Sequence, residues 1–119
     1  MRVMIIGASN DPAKFGNKAV RAYVRKGHTV FPVNPRETTI EDLKCYHSVA
    51  EVPGPIDRAA FYVPPEVGML AMIDIGQRED VAEVWLNPGS ESEEVLDAAD
   101  ALDIKPIQAC AIIDIGEKP

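Results

Sequence analysis

The sequence predicts a doubly wound α/β domain, with five parallel strands in the order 3-2-1-4-5 and helices on both faces of the sheet. Strand and helix patterns alternate along the chain, which is typical of βαβ units around a parallel sheet. The first strand, Arg2 to Ile6, runs straight into a small-residue turn at Gly7, and the second ends in Val33-Asn34-Pro35-Arg36. A length of 119 residues fits one domain, 1–119.

The first two strands and the helix between them have clear signals. Val3 to Ile6 is a continuous apolar run, as expected of a strand that is buried on both faces. Lys14 to Lys26 has apolar residues at helical spacing, and the cations before Gly27 are a helix-stop signal. The second strand is predicted at His28 to Val33.

An irregular crossover over residues 37–55 leads to the third predicted strand, Asp57–Val63. Pro65 suits the first position of the helix that follows, and Glu66 suits its first turn. The apolar face of this helix is expected to consist of Val67, Leu70, Ala71 and Ile73.

The fourth and fifth strands are predicted at Val81–Leu86 and Lys105–Ala109. Between them, Ser90 and Glu93 have the spacing of a capping box, which predicts the start of a helix. The apolar stripe of that helix would be Val95, Leu96, Ala99 and Leu102.

Composition excludes several classes of protein. Hydrophobic residues make up 46% of the chain and charged residues 26%, the balance of a globular domain. The net charge is −7 and the cations are scattered, so we expect no nucleic-acid partner. No apolar run approaches the ~20 residues of a membrane span, and with a strand beginning at Arg2 we expect no signal peptide and a cytoplasmic location. Cys45 and Cys110 lack the spacing of a metal site and are expected to be free thiols.

Four strand ends are expected to meet in one ligand crevice, because ligands of open α/β sheets bind at the carboxyl ends of the strands. The turn Gly7-Ala8-Ser9-Asn10 could hold a pyrophosphate on backbone N–H groups. At the end of the second strand, NAD-binding domains carry an acidic residue for the ribose, whereas this chain has Asn34, Pro35 and Arg36. An arginine at this position favours a phosphate. The third and fourth strands end in Tyr62-Val63-Pro64-Pro65 and Asn87-Pro88-Gly89.

Each of these motifs also has an ordinary structural interpretation. The first turn departs from G-x-G-x-x-G because Ser9 stands at the second glycine position and the next glycine is Gly16, so a simple capped turn explains it equally well. Arg36 could lie in a solvated turn. Neither His28 nor His47 belongs to an acid/base constellation, so we predict no catalytic residue.

Taken in order, five motifs resemble the small bacterial CoA-binding proteins, which are versions of the Rossmann-like domain that begins the alpha subunit of succinyl-CoA synthetase. The resemblance spans nearly all of residues 1–113, and it rests on Gly7-Ala8-Ser9, Phe31-Pro32-Val33-Asn34-Pro35, Tyr62-Val63-Pro64-Pro65, Trp85-Leu86-Asn87-Pro88-Gly89 and Cys110. It implies a sheet that binds coenzyme A at the carboxyl ends of its strands.

The resemblance also implies a place for each site residue. Gly7, Ala8, Ser9 and Asn10 would hold the CoA phosphates, and Arg36 would match the family's basic residue near the adenosine phosphate. Val63 and Pro64 would line the adenine side, and the pantetheine side would be formed by Asn87, Pro88 and Gly89.

The sequence therefore favours a module that binds CoA or an acyl-CoA and is not an enzyme by itself. Two alternatives stay open. One is an NADP-binding oxidoreductase-like domain, in which Arg36 would bind the ribose 2′-phosphate, and the other is an interaction protein that kept the fold and lost the ligand. A homodimer or a protein partner also stays open. Cys110 follows the fifth strand, so we expect it near the crevice, within reach of a ligand thiol.

Overall fold

The computed structural model describes every residue from Met1 to Pro119. Apart from a short 3-10 turn at Val49–Glu51, the elements in chain order are β1 (Arg2–Ile6), α1 (Phe15–Arg25), β2 (Thr29–Val33), β3 (Thr39–Ile40), β4 (Leu43–Lys44), β5 (Ile56–Phe61), α2 (Pro65–Gly76), β6 (Val81–Leu86), α3 (Glu93–Ala101), β7 (Ile107–Gln108) and α4 (Ala111–Asp114).

The main sheet confirms the predicted fold class, but the predicted strand order is wrong. Its five strands are all parallel and have the order β2-β1-β5-β6-β7. Numbered along the chain, this is 2-1-3-4-5 rather than 3-2-1-4-5. The third strand, β5, pairs with β1, where Val3 is opposite Arg58 and Ile6 is opposite Phe61. Strands β3 and β4 form a separate antiparallel pair within the crossover.

Pro32 gives the physical reason why no strand continues the sheet beyond β2. Its carbonyl accepts a hydrogen bond from the Tyr46 N–H at 2.9 Å, on the side away from β1. In a strand, the N–H and C=O of one residue point to the same side, so the missing N–H of Pro32 also lies on that outer side. A proline in this position suits an edge strand. Beyond β2 there is only an isolated bridge between Val33 and Tyr46.

Two hydrophobic cores lie on opposite faces of the sheet, as expected for a sheet that is covered on both sides. Alternate residues of β1 enter different cores: Met4 and Ile6 pack on the α2 and α3 side, whereas Val3 and Ile5 pack on the side of α1 and α4. No helix is long and apolar enough to cross a membrane, and no cluster of His, Cys, Asp or Glu side chains could hold a metal ion.

The predicted apolar face of α2 is wrong for three of its four residues. Ala71 is buried, but Val67, Leu70 and Ile73 are exposed at 46, 66 and 43%. The face that packs on the sheet and on α3 instead consists of Gly68, Ala71, Met72 and Ile75. Because α2 is apolar around most of its circumference, periodicity alone does not identify its buried side.

The start of α3 also differs from the prediction. Its N-cap is Ser92, whose hydroxyl accepts the Val95 N–H at 3.1 Å. Ser90 is buried two residues earlier, and its hydroxyl donates to the Phe61 carbonyl at 3.1 Å. The fifth strand is also shorter than predicted, with only Ile107 and Gln108 in β7.

Candidate ligand-binding groove

A groove of about 530 Å³ lies at the carboxyl ends of β1 and β5. After β1 the chain passes through α1 to β2 on one side, and after β5 it passes through α2 to β6 on the other. Adjacent strands whose connections diverge in this way form a topological switch point, the usual ligand site of such sheets. The groove is lined by Gly7, Ala13, Lys14, Phe15, Gly16, Tyr62, Val63, Pro64, Pro65, Pro88, Gly89 and Ser90.

Two glycines allow the strand end, the neighbouring turn and the helix to approach closely. Gly7 has φ +90°, and a Cβ added to it would overlap the Tyr62 carbonyl oxygen and the Val63 side chain. A Cβ on Gly16 would overlap the Gly7 carbonyl oxygen. Gly16 thus has the packing role of the last glycine in a dinucleotide-binding fingerprint, although a longer loop separates it from Gly7.

The loop after β1 has a mixture of paired and unpaired backbone groups. The N–H groups of Gly7 and Ala8 both donate to the Val33 carbonyl, at 3.1 and 3.2 Å, so they are already used within the fold. The N–H groups of Ser9 and Asn10 have no hydrogen-bond partner. The sequence predicts that all four residues of this loop hold a phosphate. Only Ser9 and Asn10 have backbone N–H groups that are free to do so.

Two asparagine side chains hold the carbonyl oxygens of this loop. The Asn34 amide donates to the Ala8 carbonyl, and the buried Asn17 amide donates to the Ser9 carbonyl, each at 2.9 Å. These bonds fix the loop before any ligand arrives. They also satisfy two electronegative oxygens that would otherwise repel an anion.

The N-terminus of α1 has unpaired donors as well. The N–H groups of Phe15 and Gly16 have no partner, no side chain caps the helix, and its first turn contains no acidic residue. Lys14 occupies the N-cap position and lines the groove. Unpaired N–H groups, the positive end of the helix dipole and a cation together favour an anion.

The opposite wall has its polar groups paired. The buried Asn87 side chain donates to the Phe61 carbonyl at 3.0 Å and accepts the Ala111 N–H at 2.8 Å. Ser90 donates to the same Phe61 carbonyl. Gly89, with φ +93°, has open space where a Cβ would be. This wall offers a ligand mainly the Pro88 ring and backbone.

Of the residues named from the sequence, five line the groove: Gly7, Val63, Pro64, Pro88 and Gly89. Ala8 is fully buried, and Asn87 lines a neighbouring cleft. Five others lie outside the groove lining, namely Ser9, Asn10, Asn34, Pro35 and Arg36. Arg36 is exposed and forms no ion pair. Its backbone N–H donates to the Asn34 side chain at 2.8 Å.

Sequence reasoning missed Lys14 and Gly16 as groove residues. The available signal was the helix start itself: a lysine followed by an aromatic residue and a glycine, with no acidic residue in the first turn. The capped turn that also explains this segment is not formed: the Asp11 carboxylate accepts the Ala13 N–H within the loop, and no side chain caps α1.

Comparison with known proteins identifies the family. A model of the CoA binding domain matches residues 1–115. The chain belongs to this family. The groove described above is therefore the strand-end crevice of a CoA binding domain.

Curated relatives contain this domain as a small part of a longer protein. An ADP-forming acetate–CoA ligase II alpha subunit from Pyrococcus furiosus is 39% identical over 79 residues, which cover 64% of this chain and 17% of that protein. An ADP-forming acetate–CoA ligase II from Archaeoglobus fulgidus is 31% identical over 93 residues, which cover 76% of this chain and 14% of the ligase. The chain thus spans less than a fifth of the length of these relatives.

Solved structures show both short and long proteins with this CoA binding domain fold. A conserved hypothetical protein from Pyrococcus furiosus has 35% identity and a TM-score of 0.86, over 95% of this chain and 97% of its own. A dinucleotide-forming acetyl-coenzyme A synthetase from Ca. Korarchaeum cryptofilum, in complex with phosphate and ADP, has 27% identity and a TM-score of 0.73. That match covers 91% of this chain and 25% of the synthetase.

A second cleft of the CoA binding domain, of about 260 Å³, adjoins the groove. Phe15, Tyr62 and Pro88 line both spaces, so the two lie side by side. We call this second space the apolar cleft; its lining consists of Phe15, Tyr62, Asn87, Pro88, Cys110, Ile113 and Pro119. Cys110 is partly exposed there, close to the groove as the sequence predicts.

Buried polar side chains fix α4 along this cleft. The Tyr23 hydroxyl donates to the Ala111 carbonyl at 2.7 Å, and Arg58 donates to Tyr23 at 3.1 Å and to Asp114 at 2.8 Å. Burial works against the charged form of Arg58, but its hydrogen bonds to Tyr23, Asp114 and Glu83 hold its pKa above the ordinary value. Arg58 therefore stays charged and links α4 to the sheet.

Proposed function

We propose that this domain binds CoA or an acyl-CoA in the groove, with the pyrophosphate on the N-terminus of α1. The observation that carries the proposal is the pair of unpaired N–H groups of Phe15 and Gly16, which line the groove beside Lys14. The loop that leads from β1 to them has two further unpaired N–H groups, those of Ser9 and Asn10. A pyrophosphate needs several donors in one place, and the rest of the groove offers few. Membership of the CoA binding domain family supports the choice of ligand.

Arg36 is proposed to bind the 3′-phosphate of the adenosine part. Its guanidinium has no protein partner, so a phosphate would not have to displace an existing ion pair. Val63 and Pro64 follow β5 at the same edge of the sheet, and their apolar side chains suit a purine ring. Pro88 and Gly89 would then face the pantetheine arm.

We further propose that the domain performs no reaction by itself. Among the side chains that line the groove, only Lys14 and Tyr62 can titrate. Burial raises the pKa of the Tyr62 hydroxyl far above its ordinary value, so it cannot serve as a base near neutral pH. Neither histidine lines the groove: His28 contacts the N-terminal amine, and His47 contacts the Glu37 carbonyl.

Calorimetric titration with CoA, dephospho-CoA, NADPH and NADH tests this proposal. We expect CoA to bind most tightly, because dephospho-CoA and NADH lack the phosphate that Arg36 would bind, and the family of the chain favours CoA over NADPH, whose phosphate is on the 2′ position. Equal affinity for CoA and dephospho-CoA would contradict the role of Arg36. Tighter binding of NADPH would favour the oxidoreductase-like alternative instead.

A further inference from the structure

The apolar cleft lies beside the part of the groove that is proposed for the CoA phosphates and adenine, and its chemistry differs from that of the groove. No charged side chain lines it. Asn87, its one amide, already has hydrogen bonds to Phe61 and Ala111. A charged occupant would therefore find no countercharge here. Among buried side-chain nitrogen and oxygen atoms, only the Tyr62 hydroxyl, at the junction with the groove, has no partner.

The walls of the cleft instead present unburied apolar surface. Phe15 and Ile113 are exposed at 56 and 61%, although both are large hydrophobic residues. Pro88 lines the cleft between the groove and Cys110. An apolar occupant would remove this surface from water, which is the main source of affinity in such clefts.

The far wall is held in place before any ligand binds. Three buried side chains from the sheet and from α1 fix α4: Tyr23 donates to the Ala111 carbonyl, Asn87 accepts the Ala111 N–H, and Arg58 pairs with Asp114. Of the cleft residues, Cys110 is the N-cap of α4 and Ile113 belongs to the helix. The cleft is thus a preformed feature and does not require α4 to move.

We infer that the apolar cleft holds the acyl group of an acyl-CoA, and that its preferred acyl group is uncharged, apolar and about the size of an aromatic ring. The inference rests on the proposed function, because the pantetheine arm would enter the cleft past Phe15 and Pro88. Size supports it: the cleft has about 260 Å³, and an apolar cavity of about 150 Å³ is enough for benzene. The rings of Phe15 and Tyr62 offer aromatic contacts to such a group.

Calorimetric titration of the wild-type chain with CoA, benzoyl-CoA and succinyl-CoA tests the inference. We expect benzoyl-CoA to bind about tenfold more tightly than CoA, which is the gain from burying about two methylene-sized groups. Succinyl-CoA carries a carboxylate and should bind no more tightly than CoA. Equal affinities for CoA and benzoyl-CoA, or a preference for succinyl-CoA, would overturn the inference.

A pair of variants locates the effect. Ile113→Asp places a charge in the cleft and should bring the ratio of the CoA and benzoyl-CoA dissociation constants close to one. Leu70→Asp is the matched control, because Leu70 is an equally exposed apolar residue on α2, outside both the groove and the cleft. It should keep the wild-type ratio. A ratio that survives in Ile113→Asp would place the acyl group elsewhere.

The two proposals fail in distinguishable ways. If CoA binds and the acyl derivatives show no preference, only the inference about the cleft is wrong. If CoA, benzoyl-CoA and succinyl-CoA all fail to bind, the assignment of the groove to CoA is wrong, and the inference about the cleft is wrong with it.

Discussion

The two walls of the groove differ in how their polar groups are used. On the wall formed by the start of α1, the backbone N–H groups of Phe15 and Gly16 have no partner and Lys14 has no counterion. On the opposite wall, the Asn87 and Ser90 side chains both donate to the Phe61 carbonyl, and Asn87 also accepts the Ala111 N–H. Both walls follow the ends of parallel strands, yet only the first leaves donors for a ligand.

The difference shows that a polar motif at a strand end can serve the ligand or the fold. Asn87-Pro88-Gly89 resembles a binding motif in the sequence, but its asparagine connects β5 to α4. Buried backbone groups without partners are costly, so an asparagine placed among them is used first to satisfy the fold. The wall with unpaired donors is where a charged ligand would contribute the most binding energy.

The largest expected effect comes from a change at Gly7. Gly7→Val puts a branched side chain where even a Cβ would overlap the Tyr62 carbonyl, at a φ of +90° that valine rarely adopts. We expect loss of detectable CoA binding and a lower free energy of unfolding, measured by calorimetry and by urea denaturation.

Gly89→Ala is the control for Gly7→Val on the opposite wall. Gly89 also has a positive φ, but no atom lies within 4 Å of its added Cβ. It should cost about 1 kcal/mol of stability through the backbone alone. A Gly7→Val variant that still binds CoA with the wild-type affinity would place the ligand outside the groove.

The next largest effects distinguish the proposed roles of Lys14 at the pyrophosphate and of Arg36 at the 3′-phosphate. Lys14→Ala should weaken CoA and dephospho-CoA alike, because both carry the pyrophosphate. Arg36→Ala should weaken only CoA, by ~1.5–3 kcal/mol, the range for a charge-assisted hydrogen bond. Calorimetry of both variants with both ligands provides a two-by-two comparison. Equal losses for the two ligands in Arg36→Ala would remove its role at the 3′-phosphate.

The sequence predicted which edge of the sheet carries the groove better than it predicted the order of the strands. Alternating patterns locate strands and helices because burial repeats with the period of each element. The order of the strands across the sheet depends on which strand lies at the edge. The one local indication of this was Pro32, which suits an edge strand. The predicted order places the second strand between Gly7 and Val63, whereas in the observed order the Tyr62 carbonyl and the Val63 side chain lie directly beside Gly7.

Site residues were predictable where the motif itself lines the groove, as for Gly7 and Pro88. They were not predictable where a role depends on partners that are distant in sequence. Asn87 pairs with Ala111 across 24 residues, and nothing in the local pattern of either residue indicates that bond. For Lys14 the sequence shows a cation at a helix start without acidic residues, but that no side chain caps this helix is visible only in three dimensions.

A smaller effect, on stability, tests the structural role of the second wall. Asn87→Ala leaves the buried Ala111 N–H without its acceptor, and should lower the free energy of unfolding by about 1–3 kcal/mol. Asn10→Ala is a matched change at an exposed asparagine and should cost less than about 0.5 kcal/mol. Similar losses in urea denaturation would contradict the contrast between the two walls.

The two cysteines allow a chemical test of the apolar cleft. CoA disulfide should form a mixed disulfide with Cys110 and release one CoA thiol, because Cys110 is partly exposed in the cleft. Cys45 is buried, and burial raises its pKa, so it should not react. Intact-mass analysis of the wild type and of Cys110→Ser distinguishes the sites. An adduct that persists in Cys110→Ser would show that Cys45 is the accessible thiol.

The last expected effect is a difference in sign between two tyrosines on the same face of the sheet. The Tyr62 hydroxyl is buried without a hydrogen-bond partner, whereas the Tyr23 hydroxyl donates to Ala111 and accepts from Arg58. Removing an unpaired buried hydroxyl relieves its desolvation cost, so Tyr62→Phe should raise the free energy of unfolding by about 1 kcal/mol. Tyr23→Phe should lower it by about 1–3 kcal/mol, because two partners lose their bond. Urea denaturation measures both, and a loss of stability in Tyr62→Phe would mean that its hydroxyl is hydrogen-bonded in solution, by water or by a shifted side chain at the junction of the groove and the cleft.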